Sequence, residues 1–346
     1  MKNVRTFCLL TILALFRVLP VQAQANPEAV AYLNDLSASL DGLKGETWQY
    51  LKAVTRGKGA KKVEKKRQKL LDELLVVKAD VKKKKAYQSD GALKSSVVQY
   101  LSLTHTVLNE DFGKILNMEE IAEQSYDLME AYLLAKERAN AKLDSAMLMV
   151  QEAQEEFAHQ HNITILEGND DKMSRKIQRA GETLSYYNDV YLIFFKSYKQ
   201  EMYVLDAIQR SDVSALEQNI STLKTFASEG LEKLKATGNY HNDAGLRLAA
   251  QQVLAFYRTE ADKEFAAMVD FYLKKDNYEK VQKRVEAISQ KKRTQQDIDQ
   301  YNQAVEEFNN AAQKFNQLNQ TTYQQRVKQL DQWNQKVETF LAKHAG

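Results

Sequence analysis

Five histidines and one cysteine are all the imidazole and thiol side chains that this 346-residue chain offers to metal or nucleophilic chemistry. The most suggestive spacing is Glu156-Phe157-Ala158-His159. A Glu-x-x-His pair on one helix is half of a di-iron carboxylate site in a helical bundle, which needs a second such pair. Its counterpart reads Glu307-Phe308-Asn309-Asn310 and lacks the imidazole. Glu156 and His159 are therefore the weak metal candidates, and no cofactor is expected. His159 and His161 are two apart, so on a helix they diverge. His105, His241 and His344 have no ligand-type neighbours at metal-binding spacing, and HExxH is absent. Arg56-Gly57-Lys58-Gly59 is rich in glycine and cation, but it lacks both the GxxxxGK[ST] spacing and a preceding strand. Cys8 lies inside an apolar run near the start. No nucleophile and base can be paired, so the reading is non-enzymatic.

Binding chemistry is better represented. From Lys52 to Lys69 there are nine basic residues and one acid, Glu64. Lys58, Lys61, Lys62, Lys65 and Lys66 form the candidate basic patch, suited to an anionic envelope polymer, a lipid head group or a partner protein. A solvated face is the alternative. From Asn109 to Glu130 seven acids meet one base, and Glu119, Glu123, Asp127 and Glu130 would share one face of a single helix. A second candidate is a recurring tetrad. Tyr32-Leu33-Asn34-Asp35 returns as Tyr186-Tyr187-Asn188-Asp189. Asn34, Asp35, Asn188 and Asp189 could line two related binding sites, or could lock helix packing through hydrogen bonds.

These residues need elements to hold them. Two prolines and twelve glycines in 346 residues leave a chain poor in helix breakers. Lys2 and Arg5, the uncharged run Thr6 to Phe16, and Ala23-Gln24-Ala25 read as a cleaved secretory signal over residues 1–25. Export would remove the only cysteine, leaving packing alone to hold the fold. Loss of Lys2, Arg5 and Arg17 takes the 49 basic residues to 46, equal to the 46 acidic ones. A global field that would draw in nucleic acid is then missing.

Apolar stripes at helical spacing predict helices over about 26–55, 60–85, 92–115 and 118–161. The plan then starts again. Tyr186, Val190, Phe194, Leu205 and Ile208 lie 154 residues after Tyr32, Leu36, Leu40, Leu51 and Val54. After a one-residue slip, Leu93, Leu101 and Phe112 meet Leu246, Leu254 and Phe265. The fourth helix pairs the "EAQEEF" from Glu152 with the "QAVEEF" from Gln303. The expected fold is all-α: two tandem, internally duplicated four-helix-bundle-like units over 26–168 and 169–311, with a C-terminal amphipathic helical extension over 312–346. Seven aromatics between Tyr186 and Tyr203 predict a helix buried on all sides.

The signal, the paired helical copies and the "EEFAHQHNITIL" segment resemble the organisation of uncharacterised secreted or surface all-helical proteins of Gram-negative bacteria. That resemblance covers most of the chain and implies an envelope location. Imelysin-type peptidases also duplicate helical bundles, but their GxHxxE signature is missing, since His105 is followed by Glu110. The expected function is an exported, non-enzymatic binding or scaffold protein of the cell envelope. A periplasmic ligand or metal carrier is the alternative.

Overall fold

The computed structural model describes residues 26–56, 60–88, 91–165 and 172–345. The expected signal segment and Lys58 lie outside them. Among the described residues the chain is all-α, with a lone bridge between Tyr240 and Asp243 and no strand. No described helix is long and apolar enough to cross a membrane.

The helices are α1 (Pro27–Ser39), α2 (Asp41–Thr55), α3 (Ala60–Lys83), α4 (Ala92–Thr106), α5 (Phe112–Ala122), α6 (Tyr126–Gln160), α7 (Lys172–Arg210), α8 (Val213–Thr237), α9 (Gly245–Asp262), α10 (Glu264–Ala287) and α11 (Gln295–His344). Local chemistry sets their starts. Asn26 caps α1 by accepting from the Glu28 N–H at 3.0 Å, with Pro27 in the first turn. Ser125 and Asp212 cap α6 and α8 in the same way.

Three expectations need correction. The first stripe does not form one helix over 26–55: i→i+3 bonds around Leu40 divide it into α1 and α2. The acidic run does not share one helix either. The chain turns between Ala122 and the Ser125 cap, leaving Glu119 on α5 and Asp127 and Glu130 on α6. The segment from 312 is no separate element but continues the 50-residue α11, of which it forms about the last two-thirds. The boundary expected there marks the end of the second repeat; the Gln- and Asn-rich stripe beyond it continues the helix without a break.

The chain divides into two compact units, Met1–Asn188 with Glu338–Gly346, and Asp189–Val337. In the first unit an aromatic cluster joins Tyr32, Tyr87, Phe157 and His161, with ring centroids 4.4–5.6 Å apart for the pairs in contact. Phe340 of α11 packs between Tyr186 and His344 in that unit.

In the second unit Phe194 of α7 stacks on Trp333 of α11 at 4.6 Å, and the Tyr272 hydroxyl donates to the Ile208 carbonyl. Of the aromatic stretch, Tyr187, Tyr191, Phe194, Phe195 and Tyr198 are buried, Tyr186 is half-buried, and Tyr203 is exposed. The expected all-round burial is not met: Asp189 and Tyr203 are exposed, and Leu192, Ile193 and Lys196 are only half-buried.

Helices α8 and α9 approach closely over Gly230. A Cβ there would lie 2.7 Å from Leu254 Cδ1 and 3.3 Å from Ile193 Cγ2. Leu254 is fully buried, so its methyl group would have to shift within a packed interior. Gly230→Ala should therefore lower stability by about 1–2 kcal/mol despite alanine's better helix propensity, read as a reduced urea midpoint.

Candidate functional site

The two tetrads sit on α1 and α7. Asn34 and Asp35 are exposed on α1. The Asp35 carboxylate accepts two bonds from Lys84 at 2.7–2.8 Å, tying α1 to the residue just past α3. Asn188 is half-buried with a buried, unpartnered Oδ1, and Asp189 is exposed. Glu156 and His159 are both exposed near the end of α6, and Glu156 accepts from Gln160 at 2.7 Å. No group of three or more His, Cys, Asp or Glu side chains converges among the described residues as a metal would require.

The basic run separates into two kinds of residue. Arg67 faces inward. Its guanidinium binds Glu64 through two nitrogens at 2.7–2.8 Å and donates to the Leu108 carbonyl at 2.7 Å. Leu108 lies in a π-helical turn, Val107–Asp111, which widens the helix and leaves a carbonyl in need of a donor. That Arg67 bond also holds the Glu64 carboxyl below the usual carboxylate range. Lys61, Lys62 and Lys65 are exposed and Lys66 is half-exposed. None of these four lysines enters a described ion pair. They occupy i, i+4 positions along the first half of α3, a stripe of free cations on one rigid element.

On α5, Glu119 is partly buried and its carboxyl is raised by that burial, against the pull of Lys136. Lys136 is itself 1 % exposed, with its ammonium 5.0 Å from the centre of the Tyr132 ring.

The deepest charges lie elsewhere, in the second unit. Glu201 of α7 and Glu260 of α9 are both 0 % exposed. Arg326 of α11 bridges them, its Nε to Glu201 Oε1 and its Nη2 to Glu260 Oε1. Glu201 Oε2, Glu260 Oε2 and the Tyr257 hydroxyl are buried without a hydrogen bond of good geometry, although they stand near enough to perturb one another.

Two buried carboxyls around one guanidinium cannot both ionise freely. Burial and then the neighbouring Glu201 push the Glu260 carboxyl up to about 9, against the pull of Arg326. Burial also raises Glu201. Burial followed by the two carboxyls raises Tyr257 well above its ordinary range. At neutral pH the cluster thus keeps a proton and is close to neutral overall, the state in which a low-dielectric site costs least.

Chemically the cluster can do two things. It fixes the register of α11 against α7 and α9, because Arg326 reaches both carboxyls from one position only. It also stores a proton away from solvent. Pattern reading passed over it because Glu201, Glu260 and Arg326 look like surface residues by type. A signal was present: Phe315, Thr322, Arg326, Trp333 and Phe340 repeat by seven and four, which puts Arg326 on the inward seam. The apolar Val327 beside it is exposed.

Comparison with known protein families, curated proteins and solved structures yields no match to this chain.

Proposed function

We propose that this is an exported, non-enzymatic helical binding or scaffold protein of the cell envelope, in which a cationic stripe on α3 meets an anionic envelope polymer or the acidic face of a partner protein. The observation that carries the reading is the set Lys61, Lys62, Lys65 and Lys66. These four ammonium groups lie along two turns of a 24-residue helix and are not neutralised by a described carboxylate. The neighbouring Arg67 and Lys69 are committed to Glu64 and Glu46. A polyanion laid along such a stripe meets several charges at once, and binding of that kind weakens with salt.

A duplicated scaffold is part of the same proposal. Leu93, Leu101, Thr104, Val107, Phe112 and Ile115 are buried, and so are Leu246, Leu254, Tyr257, Glu260, Phe265 and Met268, each 153 residues later. Tyr32 packs against Phe157 beside His161, and Tyr186 against Phe340 beside His344. These contacts favour pairing the last helices at an offset of 183 and not through the EEF segments, because Phe308 packs on Phe271 and Tyr278 of α10. The second copy then carries about thirty extra residues in α10, the following turn and the start of α11.

The test is charge reversal of Lys61, Lys62, Lys65 and Lys66 to glutamate. Retention of the purified protein on isolated envelope material and on sulfated dextran should weaken at least roughly tenfold, with a shallower salt dependence. Unchanged retention would remove the stripe from the function.

A further inference from the structure

We propose that the tip of the α10–α11 hairpin docks on an anionic phospholipid surface. The two helices run antiparallel and are closed by rings: Phe271 on Phe315 at 4.4 Å, Tyr278 on Phe308 at 5.1 Å and Tyr278 on Tyr301 at 6.2 Å. Between Leu273 and Asn310 only Val285 and Ala304 are buried. The hairpin therefore stands clear of the other helices of its unit. Fifteen residues from Leu273 to Ala287 give it a reach of roughly 22 Å.

The ring ladder stops short of the end, and charge takes over. From Lys280 to Arg293 there are six basic residues and one acid, Glu286. Lys280 is paired with Asp276, Arg284 with Gln300, and Arg293 donates to the Ile288 carbonyl. Lys283, Lys291 and Lys292 are exposed and enter no described ion pair. Asp297, the first acid after the turn, is held as a carboxylate by its reciprocal cap with the backbone and hydroxyl of Thr294, and no described ion pair joins it to the three lysines. With Glu286 it leaves the end net cationic. Ile298, in the first turn of α11, is 41 % exposed beside this cationic end.

Shape selects the partner. A stable protein interface covers about 800 Å² per side around an apolar centre, more than a seven-residue turn can present. A polymer strand is gripped along a stripe or in a groove, not by a convex end. A flat, multivalent anionic sheet can be met by such an end, and lysines close to anionic lipid each strengthen binding roughly fivefold. The exposed isoleucine can enter the head-group layer among them. This inference uses none of the α3 lysines and stands or falls separately from the polymer reading.

The experiment is flotation of the full chain with vesicles of phosphatidylglycerol and phosphatidylcholine, and with vesicles of phosphatidylcholine alone. Binding is expected only to the first. Lys283→Glu, Lys291→Glu and Lys292→Glu together should weaken it about a hundredfold or more, with the helical circular dichroism unchanged because all three side chains are solvated. The variant reversed at Lys61, Lys62, Lys65 and Lys66 should float like the parent. Equal binding to both vesicle types, or tip-variant binding equal to the parent's, would overturn the proposal. So would tip-dependent binding to sulfated dextran without binding to phosphatidylglycerol vesicles.

Discussion

Arg326→Leu should lower the unfolding free energy of the second unit by about 3–5 kcal/mol, because it leaves two buried carboxyl groups without their counter-charge. Glu201 and Glu260 are 0 % exposed, so water cannot replace the guanidinium without opening the α7, α9 and α11 packing. The measurement can be made local. Trp48 and Trp333 are the only tryptophans, and Trp333 stacks on Phe194 in the same unit as the cluster. In a Trp48→Phe background, the fluorescence of Trp333 follows that unit through a denaturant titration without requiring the whole chain to unfold in one step.

The companion variant separates the value of the charges from the cost of stranding them. Replacing all three residues at once, as Glu201→Leu, Glu260→Leu and Arg326→Met, should recover most of the loss, since a packed apolar set needs no counter-charge. A single Arg326 variant within about 1 kcal/mol of the parent would mean that the carboxyls reach solvent in solution.

The same cluster should make the second unit weaken as pH rises. The Glu260 carboxyl sits near 9 in the folded chain against an ordinary value of 4.5. Between those values the folded state holds a proton that the unfolded state has released, so unfolding free energy falls with increasing pH. The contribution is fully present below the ordinary value and is lost progressively up to the folded one. One proton corresponds to a decline of roughly 1.4 kcal/mol per pH unit at most. Between about pH 6 and about pH 8 a loss of about 1–3 kcal/mol is expected in the Trp333-reported midpoint. Tyr257 does not add to it, because its hydroxyl titrates far above this window.

Glu260→Gln keeps an oxygen for Arg326 and imitates the protonated carboxyl. It should flatten the pH profile while leaving stability at the acidic end close to the parent's. A Glu260→Gln profile as steep as the parent's would move the responsible proton to Glu201 or outside the cluster.

The helical class, the Asn26-Pro27 start and the inward Leu and Val positions of α3 and α4 were legible in the sequence. Each depends on interactions within a few residues: caps, breakers and the 3.6-residue period. The lysine stripe was legible for the same reason, because residues four apart on a helix share a face wherever that helix packs. The role of Arg67 was not legible. It sits among solvated lysines by type, and only the π-helical turn at Leu108, 41 residues on, gives it a carbonyl to bind.

The cationic hairpin tip was equally open to reading. Lys280 to Arg293 carries six basic residues and one acid, a shorter run than that at Lys52 to Lys69. The heptad spacing marked Arg326 as inward, but its pairing with Glu201 and Glu260 was decided by tertiary structure. The members of that cluster are 125 and 66 residues apart along the chain for the two hydrogen-bonded pairs. A charged residue becomes an interior one only when another element brings its counter-charge into the same dry space.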